Sequence, residues 1–217
     1  SNAGIGSTKD NGRICGSITI NGGTVEATGG GGAGIGGAGS SIGTRDSGTI
    51  TINGGTVIAT AKTAAGIGGG VGGAGGTVTI NGGAVTATAN ATGAGIGGGC
   101  NADGSHITIS GNAQVKVQGG EPYKGADGDY GKGAAIGDGG KEQKVDGAEA
   151  TIDTSGLDEG WIAKYKNDPQ RPWSEIPDLD LEDKEVTGVT FRNESGNLGT
   201  ARGNFVEIGA KAPTCTE

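Results

Sequence analysis

The phrase Ala-Gly-Ile-Gly opens at Ala3, Ala33, Ala65 and Ala94, with a degenerate copy at Ala134-Ala135-Ile136-Gly137. Its isoleucines stand 30, 32, 29 and 40 residues apart. The first three copies each lead into Thr-Ile-Asn-Gly-Gly and a Val-x-Ala-Thr stretch. Self-similarity at a period of this size means that one supersecondary unit is stacked repeatedly, because no unit of that length buries its apolar face alone. Composition agrees. Two Phe, two Trp, three Tyr and no Met in 217 residues are too few for an ordinary globular core. The 52 glycines lack the every-third spacing of collagen. A disordered low-complexity chain would share that glycine content, but not Ile and Val at matched places in every unit.

Within the second unit, Thr49-Ile50-Thr51-Ile52 alternates with period two, Asn53-Gly54-Gly55 supplies a turn with positive φ, and Thr56 to Thr60 resumes extended structure. Ala33 and Ile35 define a third short strand. The local alternative is a hairpin turning on Asn-Gly, but the long Gly-rich return and the third strand favour a coil. The expected fold is therefore all-β, a parallel β-helix of about five three-stranded coils over residues 4–156, the fifth visible at Ala150-Thr151-Ile152-Asp153. Stacking predicts internal rows Ile20/Ile52/Ile80/Ile109, Ile18/Ile50/Val78/Ile107, Val25/Val57/Val85/Val115 and Ile5/Ile35/Ile67/Ile96/Ile136. It also lines up Asn21, Asn53 and Asn81 at one corner, where amides hydrogen-bond as in cross-β stacks. The fourth unit departs, with Ser110-Gly111-Asn112. Residues 157–217 lose the period and hold both Trp, four of the five Pro and a dense acidic run. They read as an acidic C-terminal cap that stops edge-to-edge pairing, or as the start of a small β domain. Ser1-Asn2-Ala3 matches the remnant left when a protease removes a tag, which implies that the natural chain runs further upstream and that its export signal has been cut away.

The net charge of −8 is uneven: residues 1–120 carry +1 and residues 121–217 carry −9. Phosphate recognition wants a basic stripe, so nucleic acid and an anionic membrane surface are poor partners. No apolar run approaches the ~20 residues of a bilayer span. The cysteines at 15, 100 and 215 have neither zinc nor redox spacing. Stacking separates Cys15 from Cys100 by about three rungs, roughly 14 Å, too far for a disulfide. Cys215 could reach one of them, and small buried slots are the expected places for these thiols.

Ala-Gly-Ile-Gly, a Gly-rich spacer and the run from Cys15 to Val25 together resemble Gly-rich repeats of large secreted proteins of gut-dwelling bacteria, which look like adhesin-type β-helices. The resemblance covers about residues 3–156 and implies an extracellular or cell-surface setting. It carries over no binding residue. Of the positions matching Cys15, namely Ser47, Gly75 and Gly104, none keeps the cysteine.

Polysaccharide lyases and hydrolases also use this fold, so enzymatic function must be argued from a site. Asp10, Glu26, Asp46 and Asp103 are scattered over different rungs rather than paired across a groove. His106 is the only histidine and aligns outward with Ser17, Thr49 and Thr77, away from any Ser or Cys of a triad. The outward threonines need only β-propensity to explain them. Two clusters stand out. Tyr123, Tyr130, Trp161, Tyr165 and Trp173 are the aromatic residues a sugar site would use, with core filling as the alternative for the two Trp. Asp127, Asp129 and Asp138 bring oxygen ligands for calcium to one loop, the single cofactor the sequence raises, although Gly-Asp is also an ordinary turn. The expected function is a noncatalytic rigid stalk or adhesin-like scaffold whose partner is a surface glycan or a host or cell-wall polymer. The alternative is a carbohydrate-active enzyme or its carbohydrate-binding domain.

Overall fold

The computed structural model describes residues 1–8, 15–39, 46–125, 128–143, 152–157, 161–166, 174–175 and 205–210. Every regular element among them is a strand. After β1 (Ile5–Gly6), the first winding is β2 (Ser17–Ile20), β3 (Thr24–Gly29) and β4 (Ile35–Gly36). The second is β5 (Thr49–Ile52), β6 (Thr56–Ala61) and β7 (Ile67–Gly68), and the third β8 (Gly76–Ile80), β9 (Ala84–Ala89) and β10 (Ile96–Gly97). The fourth has β11 (Ser105–Gly111) and β12 (Gln114–Gln118), leaves the coil as β13 (Tyr123–Gly125) and β14 (Gly128–Tyr130), and returns as β15 (Ile136–Gly137). Beyond it lie β16 (Ile152–Leu157), β17 (Trp161–Lys166), β18 (Ser174–Glu175) and β19 (Phe205–Ala210).

Strands equivalent in the repeat pair in parallel, giving three sheets. The first sheet runs β1-β4-β7-β10-β15 and the second β2-β5-β8-β11-β16. The third runs β3-β6-β9-β12 and then β19-β17-β18. The fold is a parallel β-helix. Among the described residues four windings carry all three strands, with β1 and β16 as part-windings at the ends, so the expected five coils become four complete ones.

The predicted rows form in register. Ile5, Ile35, Ile67, Ile96 and Ile136 stack down the first sheet, and the two Ile/Val rows down the second. Val25, Val57, Val85 and Val115 stack down the third. Ile35, Ile50, Ile52, Ile67, Ile80, Ile96, Ile107 and Ile109 are wholly buried, each worth about 1.5–3 kcal/mol, whereas Ile5 on the first rung remains 38% exposed. Burial therefore comes from neighbours above and below, as a one-dimensional stack requires.

Two local devices turn the corners. The second glycine of Ala-Gly-Ile-Gly takes φ between 131° and 145° in Gly36, Gly68, Gly97 and Gly137. At Gly36, Gly68 and Gly97 an added Cβ would run into the carbonyl of the same glycine one rung on. Only glycine fits there. At the opposite corner the amide Nδ2 of Asn53 donates to Asn21 Oδ1 at 2.8 Å, and that of Asn81 to Asn53 Oδ1 at 2.8 Å. Ser110, which replaces Asn in the fourth winding, extends the ladder by donating to Asn81 Oδ1 at 2.9 Å.

The third sheet ends differently from the others. Its fourth strand, β12, accepts β19 in antiparallel register, Val115 opposite Ile208 and Lys116 opposite Glu207. Ile208 is buried on the apolar row, and Lys116 Nζ lies 3.4 Å from Glu207 Oε1 on the outer face. Strand β17 pairs antiparallel with β19 in turn. Cys15 and Cys100 are buried free thiols, and Cys215 lies outside the described residues. Burial pushes both thiols up, against a hydrogen bond from the Ser7 backbone at Cys15 and from the Thr92 side chain at Cys100.

Candidate functional site

The departures from the repeat gather on the fourth winding. Where earlier windings pass directly from third-sheet strand to Ala-Gly-Ile-Gly, this one inserts the β13–β14 hairpin, its base closed by Gly133 N–H donating to Gly120 O at 3.0 Å. Tyr123 stands opposite Tyr130, and Lys124 opposite Asp129. Tyr130 in turn bridges to Glu142 in antiparallel register. Residues directly opposite in such a ladder present their side chains on one face. The faces of Tyr123, Tyr130 and Glu142 thus coincide, and Tyr130 Oη lies 3.4 Å from Glu142 Oε1. Tyr123 is 48% exposed, Tyr130 is half-buried and Glu142 is exposed.

A turn from the third-to-fourth connection supports this face from below. Asn101, at a left-handed φ of 61°, donates its N–H to Gly140 O at 3.0 Å. Its Oδ1 accepts the N–H of Glu142 at 3.0 Å, while its Nδ2 lies 3.4 Å from Glu142 Oε1. Beside it Lys141 Nζ sits 3.0 Å from Asp103 Oδ1 and 3.4 Å from Asp138 Oδ2. The N–H of Gly104 donates to Asp138 Oδ1 at 2.5 Å. Asp138 is buried, and burial raises its carboxyl above the ordinary range in spite of the Gly104 N–H and the Lys141 charge. The hydrogen bond to Asp103 holds Lys141 above the usual lysine value, outweighing its partial desolvation, and Asp138 adds to the effect. Lys132 and Glu121 form a longer ion pair at 3.7 Å beside the hairpin base.

The residues singled out from sequence fall into separate places. Tyr123 and Tyr130 come together. Trp161 lies opposite Ala210, and Tyr165 opposite Val206, on β17 of the third sheet; Val206 is itself opposite buried Val117. Trp173 lies outside the described residues, as does Asp127. Asp129 occupies the hairpin position facing Lys124. Asp138 has one oxygen on the Gly104 N–H and the other beside Lys141, the work of a brace between two loops. Among the described residues no three His, Cys, Asp or Glu side chains gather for a metal ion. His106 is exposed and stands opposite Thr77, as expected.

Asn101, Lys141 and Glu142 are not singled out by the sequence, and Asp103 reads there as an isolated acid, because the partners stand about 40 positions apart. The signal was present in the 40-residue step between Ile96 and Ile136: the same offset carries Gly98 to Asp138 and Asn101 to Lys141.

A family model for the beta helix repeat matches residues 18–40, 50–71 and 78–100, each span beginning in the second-sheet strand of one of the first three windings and running past its Ala-Gly-Ile-Gly return. The repeat region is thus a β-helix by sequence model and by strand pairing alike. No curated protein and no solved structure matches the chain.

Proposed function

We propose that the chain is a noncatalytic extracellular module, a rigid β-helix scaffold or stalk that presents the fourth-winding loops to a surface or cell-wall glycan. The observation that carries this reading is where the repeat breaks. Three windings are near copies, and the hairpin, the Asp138 brace and the Ser110 substitution all fall on the fourth. Five rungs of the first sheet span about 19 Å at ordinary strand spacing, with backbone ladders, apolar rows and the asparagine corner all running the same way. The outer positions of the stack are mostly Thr, Ser and single charges, and the two carboxylates that do come together, Asp103 and Asp138, are both engaged by Lys141, which favours display over hydrolysis.

The test is a panel of immobilised neutral and acidic polysaccharides, scored for retention of the protein and for release of reducing ends or unsaturated products. Retention without release supports the proposal. Turnover of any member would overturn the noncatalytic reading, and silence in both assays would remove the glycan and leave a scaffold alone.

A further inference from the structure

We propose that Tyr123, Tyr130, Glu142 and Asn101 form a subsite for one neutral hexopyranose unit, and that the site discriminates against uronic acids. This rests on the glycan-display reading above and gives it a place and a chemistry. Sugar rings offer an apolar C–H face and a rim of hydroxyls, so a site for one needs an aromatic surface with hydrogen-bonding groups at its edge. The hairpin supplies both. Tyr123 leaves nearly half of its surface in water, in a chain with few aromatic residues, and its register partner Tyr130 extends the same face. Glu142 follows in the next register position, so the carboxylate borders the aromatic pair.

Glu142 is also held in place. The Asn101 side chain accepts from the Glu142 N–H and approaches Oε1, fixing both the backbone and the direction of the acid. A carboxylate accepts only, and sugar hydroxyls donate. Charge then selects the sugar. Lys141 is taken by Asp103 and Asp138, Lys132 by Glu121, and Lys124 faces Asp129 in register. Among the described residues no lysine or arginine reaches Glu142 at ion-pair distance. Among the described residues the charge left over at the aromatic face is therefore negative, and a uronate placed there would meet like charge. Neutral hexopyranosides meet no such penalty.

Cellohexaose, mannohexaose and hexagalacturonic acid, titrated into the full chain and followed by calorimetry and by amide chemical shifts, provide the test. At least one neutral hexasaccharide is expected to bind, with shifts at residues 123, 130 and 142, and hexagalacturonic acid to bind about tenfold more weakly or not at all. Tyr123→Ala should weaken the neutral ligand about tenfold, while Tyr123→Phe keeps it. Glu142→Gln should narrow the gap between neutral and acidic probes. Binding of a neutral probe that Tyr123→Ala leaves unchanged would overturn the subsite and leave glycan display standing at another surface. Preference for hexagalacturonic acid would overturn the charge argument, and failure of every probe to bind would overturn the subsite. Release of reducing ends would instead strike the noncatalytic reading and leave the shift map to judge the site.

Discussion

Ile67→Ala is the substitution that most directly interrogates the stack. Ile67 is wholly buried at the middle of the first sheet, between Ile35 and Ile96 in register. Replacing it removes three carbons, a transfer loss of about 2.4 kcal/mol at ~0.8 kcal/mol each. A cavity term follows, because Ile35 and Ile96 are held at rung spacing by backbone ladders and cannot close the gap; with it the total reaches about 4 kcal/mol, inside the 2–5 observed for such truncations. The same change at Ile5, on the same row but 38% exposed, should cost about 1 kcal/mol. Ile58→Ala, on an outer face with equal exposure, should cost less than about 0.5 kcal/mol. Urea unfolding followed by circular dichroism measures all three against the parent. Equal costs at Ile67 and Ile5 would refute the claim that burial arises from winding upon winding, whatever their absolute size.

Gly68→Ala combines a φ of 134° with a Cβ directed at the Gly97 carbonyl, so it should destabilise by about 3 kcal/mol or more, whereas Gly22→Ala, which meets open space, should stay within about 0.5 kcal/mol; thermal midpoints compare them. Asn53→Ala removes two rungs of the amide ladder and should cost about 1–2 kcal/mol, with Asn21→Ala, which removes one, costing about half. The Lys141 brace predicts an alkaline dependence: its folded value lies above 10.5, so its contribution is fully present below 10.5 and is lost as pH rises through the folded value. For Asp138 the carboxyl lies above 3.8, so that group's contribution is fully present below 3.8 and declines as pH rises through the folded value. Stability profiles of Lys141→Met and Asp138→Asn against the parent should each lose the corresponding slope, and an unchanged slope would remove that residue from the brace.

The coil was legible because its physics is local and repeated. Alternation at Thr49 to Ile52, the turn at Asn53-Gly54-Gly55 and the fixed interval between isoleucines each follow from side-chain period and backbone freedom, and every row then pairs as expected. The end of the coil was not legible. Ile152 does pair in register with Ile107, but the ladder shifts between Thr108 and Ser110, and the third sheet takes β19 from nearly 90 positions downstream in place of a fifth parallel strand. Nothing about Phe205 to Ala210 announces Val115 as a partner; alternation marks a strand without naming its neighbour. The aromatic grouping meets the same limit. Tyr123 and Tyr130 are close in sequence and meet across a hairpin, while Trp161 and Tyr165 were grouped with them by proximity in sequence and are carried by pairing to another sheet.

Repetition also explains why chemistry would sit on the fourth winding. In the regular rungs a side chain touches its own likeness above and below, so a charge or a bulky group introduced at Ile67 or Gly68 is met twice by a surface that cannot adapt. A polar site must therefore be built where the row already breaks. Asp138 stands where the preceding winding has Gly98, and its two oxygens are satisfied, Oδ1 by the Gly104 N–H from the preceding connection and Oδ2 by Lys141 three residues on. Asn101 and Glu142 are joined by the same displacement of one winding, and the hairpin base is closed onto the coil at Gly120 and Gly133. The exposed tyrosine face is thus seated on parts that ordinary rungs hold still. On the proposed reading, near-identical turns hold such a site still, while the fourth winding, the irregular one among the described residues, supplies the side chains for recognition.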